Sequence, residues 1–341
     1  MEQLFNFSLE KTSKFSEKDS VERKKNLKLF LDSGLPNKKD EDWKFTDLNL
    51  IIKKNFKHIS NNQEFTFEKE AEFIKDFEHN HIILVNGAFK LSDMRFEETE
   101  KVKIDNLNSF DEFNYQSINN LHSLNKALSL GGFNLEIKEN YKCKKPIVIY
   151  NYFTSNLDNK IINNSNKIKL HQNSELTLIE YNISGNSKFL KNTFEKIEID
   201  RDAVFKNISI QKTKTNGFFY KNIRGNQGYN SSYHNYLITS GLKLNKVEID
   251  MDLEKENSNC FILSGLCLGE REHQEIKTRI NHLAPNCKSY QKIKNVLENN
   301  SKGIYQGKIF VKDIAQKTDA YQLSKALILD DKAEFNAKPE L

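Results

Sequence analysis

The segment "FEKIEIDRDAVFKNISIQ", residues 194–211, carries the clearest structural signal in this chain. It contains two short β-strands, "FEKIEID" and "VFKNISIQ", which are rich in isoleucine and phenylalanine. No Asn-Gly or Asp-Gly pair stands between them, although such a pair is typical of a tight hairpin. The two strands are therefore predicted to follow one another without a hairpin reversal.

The same pattern continues along the chain from Pro146. Strands recur every ~10 to 20 residues, and most are separated by no apolar stripe of helical length. Few tight hairpin dipeptides lie between them, so a parallel solenoid fits better than an antiparallel meander. At roughly 20 residues per coil, about nine coils are predicted. A β-sandwich is the competing architecture.

The change of pattern near residue 140 predicts two regions. Residues 1–140 form a mixed, helix-bearing region, and residues 141–341 form the β-helix core. The predicted fold class is mainly β, a parallel β-helix solenoid preceded by a mixed α-helical N-terminal region. A chain of 341 residues is long enough to bury such a core without disulfides or metals.

Two helices and an aromatic anchor are predicted near the N-terminus. The first helix runs from about Ser16 to a C-terminal cap at Gly34. The second begins with the acidic residues 40–42 and continues through Phe56, because acidic side chains suit the positive first turn of a helix. Trp43, the only tryptophan, is predicted to hold the second helix onto the rest of the chain. A partly exposed packing role for Trp43 is the alternative.

A hairpin and a third helix are predicted between residues 80 and 132. Residues 81–91 read as a hairpin with Asn86 and Gly87 in a type I′ turn. An apolar stripe over residues 118–128 predicts a helix that ends at the glycine pair beginning with Gly131.

The composition limits the classes of function. Lysine plus arginine number 52 and aspartate plus glutamate 47, which gives a net charge of +5. This small excess, spread along the chain, argues against a nucleic-acid partner. No segment approaches the ~18 apolar residues of a membrane span, and no signal peptide is recognised, so a cytoplasmic location without membrane contact is predicted. The abundant lysine and asparagine residues are assigned no structural role.

Motifs for common enzyme chemistry are missing from the sequence. The nearest approach to an ATPase phosphate loop is "GIYQGKI", where Gly303 and Gly307 are one residue too close and Ile309 replaces the magnesium-binding hydroxyl residue. Dinucleotide-binding, serine-hydrolase and metalloprotease motifs do not occur. A β-helix enzyme acting on a polysaccharide remains an alternative by analogy of fold.

One group of soft metal ligands lies in the strand-rich half. Cys260, Cys267, His273, His282 and Cys287 are candidate metal ligands that could hold iron or zinc if neighbouring coils brought them together. Their spacing matches no ligand motif, so buried cysteines and histidines at coil corners are the favoured interpretation.

The segment "GLPNKKDEDWKFTDL", residues 34–48, contains the pattern G-L-P followed by E-x-W-K-[YF]-T-x-L. It resembles the N-terminal signature of SufD in the SufB/SufD family of iron–sulfur cluster assembly proteins of the SUF system. The matching residues include Gly34, Pro36, Trp43, Lys44 and Thr46.

Two later segments, residues 281–311 and 315–341, are similar to the core shared by SufB and SufD. The second, "AQKTDAYQLSKALILDDKAEFNAKPEL", is the more specific and includes Asp319 and Gln322. The resemblance implies a right-handed parallel β-helix flanked by helical domains, in agreement with the strand pattern.

The resemblance implies a non-catalytic scaffold subunit rather than an enzyme. Such a chain would pair with a SufB-like subunit through the β-helix core and with a SufC-like ATPase, which would explain the missing nucleotide loop. A transient iron–sulfur cluster and reduced flavin are expected at the level of the complex, with no cofactor assigned to this chain. A SufB-like, cluster-carrying scaffold is the alternative.

The chain departs from the family pattern at "AKPEL". In SufD the sequence continues with a C-x-H-G motif facing SufB and with helices that bind SufC. No cluster-site residue is therefore carried over from the family, and the SufC-binding region is expected to be missing. A fragment of a longer protein is the favoured interpretation.

Overall fold

The computed structural model describes residues 17–56, 58–59, 73–107, 119–129, 131–184, 187–211 and 215–341. The helices are α1 (Glu17–Ser33), α2 (Leu48–Asn55) and α3 (Asn120–Leu128). The first strands are β1 (His58–Ile59), β2 (Asn80–Val85), β3 (Ala88–Asp93), β4 (Val102–Asn106) and β5 (Phe133–Ile137). The solenoid strands are β6 (Ile147–Phe153), β7 (Lys160–Leu170), β8 (Glu175–Ser184), β9 (Phe189–Ile199), β10 (Val204–Gln211), β11 (Thr215–Gln227), β12 (Ser232–Ser240), β13 (Leu242–Leu253), β14 (Asn259–Leu268), β15 (His273–His282), β16 (Lys288–Leu297), β17 (Lys302–Val311), β18 (Asp319–Ile328) and β19 (Glu334–Glu340). Across these ranges, no helix has the length and apolar character needed to cross a membrane.

Two sheets run along the solenoid and enclose its core. The first sheet has the order β19-β17-β15-β13-β11-β9-β7-β5-β4, with β1 beside β7. The second sheet has the order β18-β16-β14-β12-β10-β8-β6-β2-β3. From β6 onward, successive strands alternate between the sheets, and neighbours within each sheet run parallel. The predicted parallel β-helix is confirmed, and the alternative of an antiparallel β-sandwich is wrong.

The coils are longer and fewer than the sequence pattern predicts. Val204, Ser232, Asn259, Lys288 and Asp319 are register partners in adjacent strands of the second sheet, 27 to 31 residues apart. Each coil holds two strands of about ten residues and the two turns that join them. Seven coils therefore run from β6 to β19, and the prediction of about nine coils of roughly 20 residues is wrong.

The N-terminal region continues both sheets of the solenoid. Strand β5 pairs in parallel with β7, and β2 pairs in parallel with β6. The antiparallel strands β3 and β4 then close the two sheets. Buried side chains of β2 and β5, such as Ile82 and Leu135, belong to the same apolar core as those of the coils. One core thus crosses residue 140, and the boundary placed there stays a prediction.

Asparagine and aspartate residues mark one corner of successive coils. The corner residues with positive φ are Asn140 (58°), Asn173 (56°), Asp202 (56°), Asn230 (52°), Asn257 (61°) and Asn286 (60°). Asparagine and aspartate adopt this left-handed conformation more readily than other residues with side chains. The N–H of Asn230 donates to Glu256 O at 2.9 Å, one residue before the next corner. Asparagine therefore has a repeated structural role in this chain.

The helices pack on the outer face of the first sheet. Apolar side chains of α1, α2 and α3, including Phe30, Ile52 and Leu124, form a second core with Leu190 and Leu244 of the sheet. Helix α3 begins at an N-cap where Asn119 accepts a hydrogen bond from His122 N at 2.8 Å. This face of the solenoid is therefore covered by the N-terminal region.

Most of the predicted N-terminal elements are confirmed. Helix α1 ends at Gly34, whose φ is 75° and whose N–H donates to Phe30 O at 2.8 Å. Asn86 and Gly87 have φ of 51° and 85°, as a type I′ hairpin requires. Helix α3 ends shortly before the glycine pair, while residue 118 of the predicted stripe lies outside the described residues.

The predicted start of the second helix is wrong. The acidic residues 40–42 lead into one 3₁₀ turn, Glu41–Trp43, and α2 begins only at Leu48. Asp47 is the N-cap of α2 and accepts a hydrogen bond from Leu50 N at 3.0 Å. Thr46, which lies between the 3₁₀ turn and α2, bonds through its hydroxyl to Glu275 of the sheet.

Gly132→Ala is expected to lower the free energy of unfolding by about 2–3 kcal/mol. Gly132 has a φ of 142°, and a Cβ there would lie 1.7 Å from the carbonyl oxygen of Ser165. Urea unfolding followed by circular dichroism measures the change. Gly265→Ala is the matched control, because its Cβ would meet no atom within 4 Å. Equal stability of the two variants would contradict the close approach at Gly132.

Candidate functional site

Residues 34–48, here called the strap, cross the outer face of the first sheet. The 3₁₀ turn of the strap places Trp43 against Tyr220 of β11, with ring centroids 5.3 Å apart. The Nζ atom of Lys246 in β13 lies 4.3 Å from the centroid of the Trp43 ring. Trp43 is only 2% exposed, so the prediction that it anchors the N-terminal region is confirmed and a partly exposed role is wrong.

A buried ion pair lies beneath the strap. The side chains of Lys246 and Glu275 are both fully buried and bond to each other. The strap supplies two further bonds: Lys246 donates to Asp42 O at 2.9 Å, and the Thr46 hydroxyl donates to Glu275. Gln306 of β17 donates to Glu275 at 2.7 Å. The strap therefore adds two polar contacts to those that these two charges already have within the sheet.

The surroundings of Glu275 keep it ionised. Burial by itself raises the pKa of this carboxyl group. The ammonium of Lys246 and the hydrogen bonds from His273, Lys246 and Thr46 outweigh burial and lower the pKa to about 2. Breaking the pair would leave one buried charge without compensation, which is far more costly than losing a surface ion pair.

The edge of the strap adds contacts that are more exposed. Asp42 pairs with Lys277 of β15, and Glu41 pairs with Lys338 of β19. A cavity of about 130 Å³ lies among these charged residues and Arg279. Its cationic and acidic side chains are largely paired with one another, so the cavity has no strong preference for an ion of one sign.

The other signature residues lie at both ends of the chain. Gly34 and Pro36 are buried where α1 passes into the strap, and Lys44 is exposed 3.7 Å from a carboxylate oxygen of Glu41. Asp319 is exposed at the start of β18. The predicted site residues of the strap and of β18 therefore do not form one site.

Gln322 of β18 contacts the neighbouring coil. Its side-chain oxygen accepts a hydrogen bond from the Tyr305 hydroxyl at 3.2 Å. Its amide nitrogen donates to Glu340 O at 3.4 Å. This family-signature residue thus joins β17, β18 and β19 in the last two coils.

The structure does not bring the five candidate metal ligands together. Cys260 and Cys267 lie on β14 in the second sheet, His273 and His282 lie on β15 in the first, and Cys287 lies in the turn before β16. Throughout the described ranges, no group of three or more histidine, cysteine, aspartate or glutamate side chains is placed to hold a metal ion.

Each of these five residues has a local environment of its own. Burial in the core raises the pKa of the Cys260 thiol. Cys287 Sγ lies 3.2 Å from the Ser258 hydroxyl, and His273 Nε2 lies 2.8 Å from the Thr46 hydroxyl. Burial lowers the pKa of His282 to about 4, and its Nε2 atom lies 2.9 Å from Ser289 Oγ. Cys267 is exposed on the outer face of the second sheet.

Sequence reasoning missed a group of charges inside the solenoid. Glu180 of β8 lies 3.1 Å from Lys191 of β9 and 2.8 Å from Lys221 of β11. Lys221 also lies 3.1 Å from Glu195. Burial alone raises the pKa of Glu180, but the two ammonium groups outweigh it and lower the pKa. The signal was present, because Lys191 and Glu195 share the inward side of β9 with the core residue Ile197.

A cavity of about 40 Å³ adjoins this interior group. Its lining includes Glu180, Lys191 and Lys221. This volume suits about one water molecule, whose share of liquid volume is ~30 Å³. The two carboxylates and two ammonium groups neutralise each other, so the arrangement fits structural support of the interior.

The last coil, β18 and β19, presents open strand edges within the described residues. Strand β18 bonds only to β16, and β19 bonds only to β17. Large apolar side chains are exposed around this coil: Phe310, Val311, Ile314, Tyr321, Leu327, Ile328 and Leu329. Exposed edges and apolar side chains together are typical of a surface that pairs with another chain.

Family models match both halves of the chain. Residues 152–341 match the core domain described as "SUF system FeS cluster assembly, SufBD core domain". Residues 9–149 match the SufBD protein N-terminal region. The chain belongs to the SufBD family. In this SufBD protein the strap lies in the N-terminal match, and the coils from β7 onward, including the last one, lie in the core match.

Three relatives support the same family. An iron–sulfur cluster assembly SufBD family protein of Synechocystis is 22% identical, and the alignment covers 90% of this chain and 72% of the relative. The iron–sulfur cluster assembly protein SufD of Escherichia coli is 22% identical, with 95% and 77% covered. The chloroplastic protein ABCI7 of Arabidopsis thaliana is 24% identical, with 94% and 71% covered. These matches support a role of the SufBD family in iron–sulfur cluster assembly.

Proposed function

We propose that this chain is a SufD-like, non-catalytic scaffold subunit of a SUF iron–sulfur cluster assembly complex. It pairs with a SufB-like subunit through the last coil of its β-helix. A SufC-like ATPase supplies the nucleotide chemistry, for which this sequence has no phosphate loop.

The parallel β-helix, which matches the SufBD core domain, is the observation that supports pairing best. The edge strands β18 and β19 offer backbone groups to a further strand. Leu327 is 58% exposed and Ile328 is 49% exposed, although both belong to a strand of the core domain. A SufB-like β-helix has the same architecture, so its strands match this edge in spacing and direction.

The buried charges of the chain suit support rather than catalysis. Lys246 and Glu275 bond to each other beneath the strap, and Glu180 bonds to Lys191 and Lys221 inside the solenoid. These groups are held by fixed partners and are remote from bulk solvent. We assign the transient iron–sulfur cluster, as cargo, and the reduced flavin to the assembled complex, with no residue of this chain assigned to either.

Co-purification tests the proposed pairing. The chain is tagged at its N-terminus in its native locus, purified under mild anaerobic conditions, and the intact masses of all bound chains are recorded. We expect SufB-like and SufC-like chains to be recovered with it. Recovery of neither chain would contradict the scaffold function.

Leu327→Asp is expected to weaken recovery of the SufB-like chain by about tenfold or more, because it places a charge in an apolar pairing surface. Because Leu327 is exposed, its substitution should change the free energy of unfolding of the isolated chain only a little. Leu50→Asp is the matched control, because Leu50 lies on α2 and is 63% exposed. Equal recovery with both variants would place the pairing surface elsewhere.

A further inference from the structure

The outer face of the second sheet carries an array of aromatic, aliphatic and lysine side chains that no helix or strand of the described ranges covers. We call the outward side of β10, β12, β14 and β16 the lysine-aromatic face. Its main members are Lys206, Ile208, Ile210, His234, Tyr236, Ile238, Phe261, Leu263, Cys267, Lys288, Tyr290, Lys292, Lys294 and Val296. The alternate residues of the same strands point into the core, for example Phe205, Leu237 and Ile262.

Parallel register aligns these side chains in rows across the strands. One row contains Lys206, His234, Phe261 and Tyr290. The rings of His234 and Phe261 stack with centroids 4.7 Å apart and an interplanar angle of 14°. The rings of Tyr290 and Tyr321 of β18 stack with centroids 5.0 Å apart and an angle of 10°. The ring faces therefore meet each other, and mainly their edges face solvent.

A shallow depression lies beside this aromatic row. Gly265 of β14 stands between Ile238 of β12 and Lys294 of β16 in the register. A Cβ at Gly265 would meet no atom within 4 Å, so space is open above it. Ile238 is 56% exposed, and Cys267 two residues from the glycine is also exposed. An apolar side chain from outside has room to enter here.

The charge of the lysine-aromatic face has one sign. The outward positions of these four strands contain four lysines and no acidic residue. Lys206 lies 3.5 Å from Glu175. Lys288, Lys292 and Lys294 form no ion pair with any carboxylate in the described part of the chain. On the outer face of the first sheet, by contrast, charged side chains pair with the strap.

The charge of the lysine-aromatic face and the stacking of its rings indicate which kind of molecule binds there. A second copy of this chain would bring lysines against lysines, which disfavours self-association through this face. Single-stranded nucleic acid would need free aromatic faces for its bases, whereas these rings stack on one another. An acidic segment with apolar side chains satisfies both the unpaired lysines and the exposed isoleucine and leucine side chains.

The dimensions favour a helix as the occupant. Four neighbouring strands span three spacings of about 4.8 Å, or roughly 14 Å. A helix with its side chains is ~10–12 Å across and covers such a width. Its apolar stripe would lie over Leu263 and Gly265, with acidic residues on the β16 side, near Lys292 and Lys294. We infer that the lysine-aromatic face binds an acidic amphipathic helix of a partner protein.

A model peptide tests this inference on the full chain. The probe is a fluorescent amphipathic helix with leucine and phenylalanine on one face and glutamate on the other. We expect saturable binding by fluorescence anisotropy, and slower alkylation of Cys267 when the peptide is bound. Cys267 is a selective reporter, because Cys260 and Cys287 are buried and burial raises the pKa of the Cys143 thiol.

Lys292→Glu combined with Lys294→Glu should weaken peptide binding by about tenfold, because two attractions become repulsions. Lys24→Glu with Lys28→Glu is the matched control: it changes the net charge equally, on exposed positions of α1. A counterpart peptide with lysine in place of glutamate should bind weakly. Equal binding of both peptides, or binding that leaves Cys267 alkylation unchanged, would overturn the inference.

The competing occupants give distinct results. Tighter binding of an oligothymidylate than of the acidic peptide, with protection of Cys267, would make the face a nucleic-acid surface and overturn the inference. Protection of Cys267 that rises with protein concentration alone would make it a self-association surface.

Discussion

Glu275→Gln is expected to lower the free energy of unfolding by about 3–5 kcal/mol, the usual cost of breaking a buried ion pair from one side. The substitution keeps the shape of the side chain but removes the direct counter-charge of the buried Lys246 ammonium, whose remaining carboxylate neighbour, Glu248, is 3.6 Å away. Urea unfolding followed by circular dichroism measures the loss. Fluorescence of Trp43, which lies against Lys246, reports separately whether the strap stays docked.

Two further variants make the result specific to the buried pair. Adding Lys246→Met to Glu275→Gln removes the uncompensated charge and should recover at least part of the lost stability. Glu270→Gln changes an exposed glutamate in the turn before β15, the strand that contains Glu275. It should shift the free energy of unfolding by no more than about 0.5 kcal/mol. A loss no larger for Glu275→Gln than for Glu270→Gln would contradict the importance of the pair.

The lowered pKa of Glu275 predicts that the wild type and Glu275→Gln differ in their sensitivity to acid. The pKa of Glu275 is lowered from 4.5 to about 2 in the folded protein. A carboxyl group with a lower pKa when folded contributes stability above pH 4.5, and that contribution is lost as the pH falls through about 2. Between these values the wild type should therefore lose more stability than Glu275→Gln. Parallel curves for the two proteins would contradict the lowered pKa.

The β-helix could be predicted from the sequence because its signal is local. Strands without hairpin dipeptides, such as those of residues 194–211, already favour a parallel solenoid over an antiparallel meander. The length of a coil was harder to predict, because the pattern does not show which strands belong to the same sheet. The corner asparagines, such as Asn230 and Asn257, repeat at the true coil length and would have supplied it. Their abundance was instead left without a structural role.

The strap was only partly predictable. Its pattern indicated a buried Trp43, but the partners of Trp43 are Tyr220 and Lys246, which lie about two hundred residues further along the chain. Long-range pairing of this kind leaves no periodic signal in either segment. Lys246 was missed for the same reason, since in isolation it reads as a solvent-exposed position of β13.

The candidate metal ligands show that residues close together in the sequence need not lie close together in the fold. His273 and Cys267 are separated by one turn, yet that turn carries the chain from the second sheet to the first. In a β-helix, residues at the same position of successive coils are neighbours within one sheet. Residues on the two strands of a single coil lie in different sheets. Strand register is therefore the relevant test for a ligand group: Cys287 is 27 residues after Cys260, yet the register partner of Cys260 is Ser289.

Trp43→Ala is expected to lower the free energy of unfolding by about 3–5 kcal/mol, the range for removing a large buried aromatic side chain. Two effects add together. The ring loses its packing against Tyr220 and leaves a cavity, and the ammonium of Lys246 loses the aromatic face above it. Urea unfolding followed by circular dichroism measures the loss, because the variant has no tryptophan fluorescence.

Trp43→Phe is the matched variant, since it keeps an aromatic ring over Lys246 and should lose substantially less stability than Trp43→Ala. Phe310→Ala, at a position that is 47% exposed, controls for the loss of an aromatic side chain in general. The strap also ties α1 and α2 to the sheet, so undocking should reduce recovery of partner chains in the co-purification. If Trp43→Ala leaves both the unfolding transition and partner recovery unaltered, the buried ring does not hold the strap, and the ion pairs and hydrogen bonds of the strap hold it without Trp43.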